Sequence, residues 1–598
     1  MAIAIAAVGL GPRARWLRWQ LTRSPAAESI VLITIDTLRM DHLGAYGSRS
    51  VPTPNLDRLA AEGTLFAQAI SPVPLTLPSH TSMMTGLYPF EHGVLQNGVY
   101  RLPERAEPLA ERLASAGYQT GAFVGSFILS ARFGLKQGFA TYDAPFDHRP
   151  GSLKVAERTA EAVITAARRW LAGVGAAPFF LWVHVYDPHA PFRPPGAFAA
   201  RFAANPYGGE IAYVDAALGP LLEELRGRPR PPVIVVAGDH GESLGEHGED
   251  HHGFFIYDSV MRVPLIVWGP HVFPGGGRHE GQVGLIDLFP TILEVAAVPV
   301  PAAQHAVSLV PALFGRSLAA RPQLLETPMP TAQFDAAALS AMRTEDWKLI
   351  ESPERELYQL AGDRGEERNV AALQREIATV MAARLQSARA AATGPEPREL
   401  QVQVDPELQQ ALESLGYVGT RPSERRDETV RKDAKEVVHL LHETKEGKQA
   451  YAARDYAKAI GHFDRVIQEC PTARSALMLK GRAAVAMKQY EVALSAFEGL
   501  VKAFPDEAPG HYNAGVALLV LQRSAAAVRA LERSLELDAT AVQTVYTLGV
   551  AHLAAGDAAS AKRFLGDYLR LAPQGEDAAA ARRVLGELAA AHVGAPGS

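Results

Sequence analysis

The hydrophobic pattern divides the chain into two halves with different periods. In the first half, short β-branched runs alternate with stretches of helical spacing. Residues 29–34 (SIVLIT), 178–185 (PFFLWVHV) and 232–238 (PVIVVAG) are continuous apolar runs, the pattern of strands buried on both faces of a parallel sheet. Residues 257–268 (YDSVMRVPLIVW) enter another strand, and residues 283–291 continue the core. Residues 56–66 (LDRLAAEGTLF) carry apolar positions near a period of 3.6 and read as a helix. Residues 309–315 open a smaller subdomain. Its edge strands are expected over 341–350 and 356–360, in a small antiparallel sheet covering the large one. Strands alternating with helices make this half an α/β domain.

The pattern changes after residue 370. Residues 371–392 are Ala- and Arg-rich with helical spacing, and the run 394–398 (GPEPR) breaks them. Residues 408–419 (LQQALESLGYVG) read as a short amphipathic helix, and the charged residues 420–435 as a linker. An internal repeat follows. Gly447, Gly481, Gly515 and Gly549 are each 34 residues apart, and Ala459, Ala493, Ala527 and Ala561 keep the same step. So do Pro471, Pro505, Ala539 and Pro573, and Phe463, Phe497, Leu531 and Leu565. A 34-residue helix-turn-helix with small residues at close-packing points resembles the tetratricopeptide repeat. That resemblance implies a solenoid that binds a protein or peptide on its concave face. The expected divisions are an N-terminal segment 1–28, a catalytic domain 29–370, a linker 371–435, four repeats over 436–575 and a capping helix with tail over 576–598.

Composition narrows the partners. Of 598 residues, 47% are apolar and 21% charged, which reads as globular, and a net charge of -6 provides no basic field for nucleic acid. One cysteine, Cys470, excludes an internal disulfide framework and a four-Cys zinc site, and reads as a buried small residue. Residues 2–11 are apolar but too short to span a bilayer, and Arg13, Arg15, Arg18 and Arg23 follow them with Trp16 and Trp19 between. The order is the reverse of a signal peptide. A degenerate export or membrane-surface segment and an unstructured start are both open readings, and any membrane contact is confined to this segment.

The candidate chemistry lies at strand ends. Asp36 ends the first apolar run, and Asp239-His240-Gly241-Glu242 ends another. A carboxylate and an imidazole there can bind a divalent ion through a hard oxygen and a borderline nitrogen, where open α/β sheets place their ligands. Between them lies Thr76-Leu77-Pro78-Ser79-His80, closed by Gly86. Pro78 and Ser79 read as a helix start and cap, which puts Thr76 at a helix N-terminus where free N–H groups favour an anionic ester.

These stretches, with Leu43-Gly44-Ala45-Tyr46-Gly47, Ala116-Gly117-Tyr118-Gln119-Thr120, Asp187-Pro188-His189-Ala190-Pro191, Asp287-Leu288-Phe289-Pro290-Thr291, Asp346-Trp347-Lys348-Leu349-Ile350 and Glu356-Leu357-Tyr358-Gln359-Leu360, come in the order of a known family. From about Ser29 to Asn369 the chain resembles the sulfatase branch of the alkaline phosphatase superfamily. The resemblance implies a large mixed sheet sandwiched by helices, with a small antiparallel C-terminal subdomain, ahead of the all-α solenoid. It implies that Asp36, Thr76, Asp239 and His240 hold one divalent metal. With His240 in the set, manganese or zinc is favoured over calcium or magnesium. Thr37 stands where some members carry a further ligand. His189 matches a family histidine that contacts the ester, as substrate ligand or leaving-group acid.

The sequence departs from that family at the nucleophile. Sulfatases carry Cys or Ser matured to formylglycine at the Thr76 position, and threonine cannot be so converted. A threonine beside a divalent ion can attack phosphorus directly. The family's nearby arginine is His80 here, its Gly-Lys pair is Gly125-Ser126, and a further lysine has its counterpart at His252. His184, near a strand end, reads equally as a packed side chain; His247 and His251 read as solvated or supporting. The expected catalytic set is Thr76, His189, His80 and His252. The expected activity is phosphoester hydrolysis or transfer, a diester foremost, on an anionic substrate. The alternatives are sulfate ester hydrolysis with unmodified Thr76, and a catalytically silent repeat scaffold. The resemblance leans towards export or the cell envelope.

Overall fold

The computed structural model describes residues 11–22, 28–146, 157–175, 177–302, 305–391, 394, 400, 402 and 431–593. They fall into two compact units. One runs to Arg421 except for Thr331–Ala336, and the other contains those six residues and the chain from Pro422.

The first unit is built on an eight-stranded sheet. Its strands are β1 (Ile30–Ile35), β2 (Thr64–Ile70), β3 (Gln119–Val124), β4 (Thr141–Asp143), β5 (Phe179–Val185), β6 (Val233–Gly238), β7 (Arg262–Trp268) and β8 (Gly277–Gly284), in the order β4-β3-β5-β1-β6-β7-β2-β8. β7 pairs antiparallel with β6 and with β2, and the other pairings are parallel, so the sheet is mixed. β1 lies at the centre. Ile30, Val31, Leu32, Ile33 and Ile35 are all 0% exposed. Alternate residues feed two cores, Ile30 and Leu32 on one face and Val31, Ile33 and Ile35 on the other. Each such side chain contributes roughly 1.5–3 kcal/mol by leaving water.

Residues 56–66 correct the sequence reading. The helix covers Pro54–Glu62 only, and Thr64 already begins β2. A Cβ at Gly63 would stand 2.5 Å from the Val267 carbonyl oxygen, so the chain turns there against β7, and the β-branched and aromatic residues beyond continue as strand. The small sheet is four-stranded and antiparallel, in the order β12-β11-β10-β9. β9 is Gln323–Thr327, β10 Leu339–Arg343, β11 Trp347–Glu351 and β12 Glu356–Gln359. Residues 341–350, read as one strand, are a hairpin, since Thr344 to Asp346 make its turn and the Thr344 hydroxyl accepts from the Trp347 N–H at 2.9 Å. The Arg343 and Lys348 side chains meet Asp258 at 2.7 and 3.1 Å, which ties this sheet to the segment entering β7.

The basic N-terminal stretch is a helix, Pro12–Thr22. Trp16 and Trp19 pack against the core, with Trp19 5.6 Å from Phe314 and the Arg316 guanidinium 4.2 Å over Trp16. Residues 2–10 and 408–419 lie outside the described residues. Among the described residues no helix is long and apolar enough to cross a membrane.

In the second unit, helices pair in order: His439–Ala452 with Tyr456–Glu469, Arg474–Ala486 with Tyr490–Ala503, Ala508–Val520 with Ser524–Leu537, and Val542–Ala554 with Ala558–Leu571, followed by Ala578–Val593. The glycine repeat has a steric cause. A Cβ at Gly447, Gly481, Gly515 or Gly549 would stand 2.6, 2.3, 2.6 or 2.8 Å from Phe463, Phe497, Leu531 or Leu565, so each large residue packs on the bare backbone of the partner helix. Cys470 is buried, as expected.

Candidate active site

Register assembles the centre. β1 pairs in parallel with β6 so that Ile35 faces Gly238, and with β5 so that Thr34 faces His184. The residues one step beyond, Asp36 and Asp239, therefore emerge side by side at the carboxyl end of the sheet. The Thr37 N–H donates to Asp239 Oδ1 at 3.2 Å and locks the two loops together. The third contributor is the helix Thr76–Thr85, which starts at Thr76 and ends on Gly86 at φ 73°. Ser79 does not cap it. Its hydroxyl donates to the Asp239 carbonyl at 2.7 Å and fastens the helix to β6. Asn97, unmarked in the sequence, accepts from the Leu77 N–H at 2.8 Å.

Asp36, Asp239 and His240 are each 0% exposed, and their ligand atoms lie within 4.8 Å of one another. His240 Nδ1 is 3.0 Å from the Gly241 carbonyl. A carbonyl only accepts, so Nδ1 carries the proton and Nε2 presents a lone pair. That lone pair faces Asp36 Oδ1 at 3.6 Å and Asp239 Oδ2 at 3.5 Å. Both Asp36 oxygens, Asp239 Oδ2 and His240 Nε2 are buried without an aligned hydrogen-bond partner. Three electron-rich groups facing one another in a dry pocket repel unless a cation lies between them. A ring nitrogen held by a carbonyl so that the other can ligate is the arrangement of metal-bound histidine. The donor set fits a divalent ion, with the Thr76 hydroxyl beside Asp36 as a fourth donor. Burial raises Asp36 from 3.8 to about 7, partly opposed by the Thr37 N–H and the Thr76 hydroxyl. Burial and the Asp36 charge also raise Asp239. The Thr37 hydroxyl is turned away and donates to the Pro188 carbonyl.

The histidines divide by their partners. His80 is fully buried and doubly engaged, Nδ1–H with the Thr76 carbonyl at 2.7 Å and Nε2 with the Thr34 hydroxyl at 2.9 Å. It grips the backbone of the candidate nucleophile, and burial pushes it down to about 3. His184 Nδ1 accepts from the Gly125 N–H at 3.3 Å, so Nε2 carries the proton, 3.4 Å from Asp36 Oδ2. Its place in the centre follows from the Thr34 register, which the sequence does not display. His80, His184 and Asp239 form a second group of potential ligands, although both His80 nitrogens already have partners. His189 Nδ1 meets the Ala190 carbonyl at 2.7 Å, and its buried Nε2 has no partner. Burial pushes His184 to about 4 and His189 to about 3. Asp187 caps the helix Ala160–Gly173 by accepting from the Ala160 N–H at 2.8 Å. Ser126 is buried with its hydroxyl unpartnered.

The loop after β6 reaches back over the site. The His252 ring lies 4.4 Å from His240 and 5.1 Å from His189, and its Nδ1 meets Glu242 Oε1 at 3.0 Å. Gly241 is required where it stands, since a Cβ there would come 2.2 Å from the Ser259 carbonyl oxygen. Arg39 donates to the Glu242 carbonyl at 3.0 Å and to Glu246 at 2.6 Å. Glu249 accepts from the Phe254 and Phe255 N–H groups at 2.7 and 3.1 Å. His247 stacks on Tyr257 at 3.6 Å, with its Nε2 at the Gly365 carbonyl. His251 lies 6.3 Å from Phe192.

Comparison with known proteins agrees with this architecture. Residues 28–298 match the sulfatase family model, residues 245–391 the model for the C-terminal part of N-sulphoglucosamine sulphohydrolase, and residues 475–507 a tetratricopeptide repeat. The chain is 28% identical over 382 residues to N-acetylgalactosamine-6-sulfatase of Canis lupus familiaris, covering 54% of this chain and 71% of that protein. It is 28% identical over 379 residues to human arylsulfatase A (Homo sapiens), covering 54% and 74%. In fold it is similar to the phosphonate monoester hydrolase of Agrobacterium radiobacter, with TM-score 0.52, 22% identity, 63% of this chain and 100% of that one. It is also similar to a protein solved with its substrate D-glucosamine-2-N,6-O-disulfate, with TM-score 0.53, 21% identity, 61% and 98%.

Proposed function

Because the chain belongs to the sulfatase family, within the alkaline phosphatase superfamily, and carries tetratricopeptide repeats behind its hydrolase domain, we propose that it cleaves or transfers a phosphoester, a diester foremost, with Thr76 as nucleophile. The observation that supports this most is the position of Thr76. Its hydroxyl sits at the N-terminus of a buried helix, beside Asp36, which itself groups with Asp239 and His240. Asp36, Asp239, His240 and the Thr76 oxygen would hold one divalent cation, manganese or zinc by donor type. When bound, that cation neutralises the carboxylates and stabilises charge on the ester oxygens.

The remaining residues act around the Thr76 oxygen. His80 fixes the Thr76 backbone through its carbonyl, and Thr34 fixes His80. The positive end of the helix dipole faces the anionic ester, although the Leu77 and Ser79 N–H groups are already taken by Asn97 and the Leu75 carbonyl. The His184 Nε2–H and the Ser126 hydroxyl are donors for its non-bridging oxygens. Attack by the ionised Thr76 oxygen forms the Oγ–P bond as the leaving oxygen departs. His189 and His252 serve the leaving side. Water or an acceptor alcohol then attacks phosphorus and releases Thr76. The helical repeats would present a concave face to a protein or peptide partner.

A sulfate ester is the second reading, and the sulfatases among the relatives favour it. Matched aryl phosphodiester, phosphomonoester and sulfate ester, assayed with manganese or zinc, separate the two. Phosphodiester turnover abolished in Thr76→Ala is the expected result. Turnover of the sulfate ester alone would overturn it in favour of a sulfatase with an unmodified threonine. No turnover of any ester, with no metal retained, would favour a binding scaffold.

A further inference from the structure

Glu242 has no part in the scheme above, yet it is 0% exposed at the edge of the centre. A carboxylate buried this deeply is costly unless it is engaged. Its Oε1 lies 3.0 Å from His252 Nδ1, and its Oε2 has no partner. Its backbone is held independently of that contact, because Gly241 packs on the Ser259 carbonyl and Arg39 grips the Glu242 carbonyl. The far end of the loop is anchored as well, by the Ser243 N–H donating to the His251 carbonyl at 2.7 Å. The His252 side chain is 6% exposed and its ring is set between those of His240 and His189. The two nitrogens of an imidazole point from different edges of the ring. With Nδ1 committed to Glu242, Nε2 is left on the edge away from it.

We propose that Glu242 is a positioning residue for His252: the buried carboxylate fixes the ring through Nδ1 and directs Nε2 at the oxygen that leaves the ester. This rests on the reading of Thr76 as nucleophile. In the first step the Thr76 Oγ–P bond forms and the bond from phosphorus to the leaving oxygen breaks. The electron pair of that bond stays on the leaving oxygen, which takes the proton from His252 Nε2. In the second step water attacks phosphorus, gives a proton back to Nε2, and the Thr76 oxygen departs with the electron pair of its bond. No external oxidant or co-reactant is needed.

The test is the dependence of rate on leaving group. Proton donation matters for a poor leaving group and little for a good one. Full-length wild type, Glu242→Gln, Glu242→Asp, His252→Ala and the Glu242→Gln/His252→Ala double variant are assayed on methyl phosphodiesters with 4-nitrophenyl, phenyl and alkyl leaving groups, at equal metal content. Glu242→Gln is expected to lose less than about threefold on the 4-nitrophenyl ester and roughly 10²–10³-fold on the alkyl ester. Glu242→Asp should recover part of the alkyl rate, and the double variant should lose no more than His252→Ala. Equal losses on all three esters, or additive losses in the double variant, would overturn the proposal. An inactive wild type would instead overturn the Thr76 reading. The ¹⁵N imidazole spectrum still tests the contact in that case: the resonance absent from His252→Ala should shift in Glu242→Gln, and an unshifted resonance would refute the pairing.

Discussion

Replacing Asp36 by asparagine should stabilise the cation-free protein, and increasingly so as pH rises. Asp36 is fully buried, its oxygens lack aligned partners, and burial raises it from 3.8 to about 7. Between those pH values the unfolded chain has released a proton that the folded chain keeps. The folded state binds more protons, so stability falls with rising pH. The contribution is fully present below pH 3.8, declines across the interval, and is lost as pH passes about 7. At ~1.4 kcal/mol per pH unit the interval corresponds to at most ~4 kcal/mol. Glu210 and Glu249, both pushed to about 8 by burial, add slopes of the same sign. Those slopes are common to wild type and variant and cancel in the difference. The assay is urea unfolding of chelated wild type and Asp36→Asn from pH 4 to pH 8, followed by near-ultraviolet circular dichroism. The variant should gain on the wild type by up to ~4 kcal/mol across the range, and saturating manganese should reverse the order. A difference independent of pH would refute the reasoning, because it would mean that Asp36 is ionised in the folded protein without a cation.

Three further outcomes follow from the geometry. Dialysis against a chelator should abolish ester turnover, and elemental analysis of the reconstituted protein should find one divalent ion per chain; two ions per chain would mean that His80 gives up its bonds to Thr76 and Thr34. Gly481→Ala should destabilise the helical repeats by a net ~1–2 kcal/mol in a thermal melt, since its Cβ would meet the Phe497 ring at 2.3 Å. Gly461→Ala, with nothing within 4 Å in the helix Tyr456–Glu469, should stabilise them by up to about 1 kcal/mol. His184→Phe should lower kcat/KM by roughly 10–100-fold, as loss of one buried donor to the ester does, without lowering metal content.

The strands that carry the centre were readable because burial on both sheet faces demands uninterrupted apolar runs, and residues 29–34 and 232–238 have no competing pattern. The repeats were readable because glycine opposite Phe or Leu is a steric necessity renewed every 34 residues. Residues 56–66 misled because the helical period survives across Gly63 by coincidence, while the decisive contact is with Val267, far away in sequence. His184 reads equally as packing in the sequence because its place at the centre comes from facing Thr34 on the neighbouring strand. Ser79 has the composition of a cap, yet its partner is the Asp239 carbonyl. In each of these the missing information is a partner more than a hundred residues away.

The bond from the Thr37 N–H to Asp239 spans 202 residues. At a synthesis rate of about 5–20 residues per second, roughly 10–40 s separate the appearance of Asp36 from that of Asp239. Throughout that interval β1 has no β6 beside it, and Asp36 remains a solvated carboxylate with the acidity of any other. A cation site built on Asp36 and Asp239 would therefore be completed late, by closure of a very long loop. The repeats, whose contacts are between neighbouring helices, are made after β6 and need no such closure. A chain stalled between the two halves would already carry both Asp36 and Asp239.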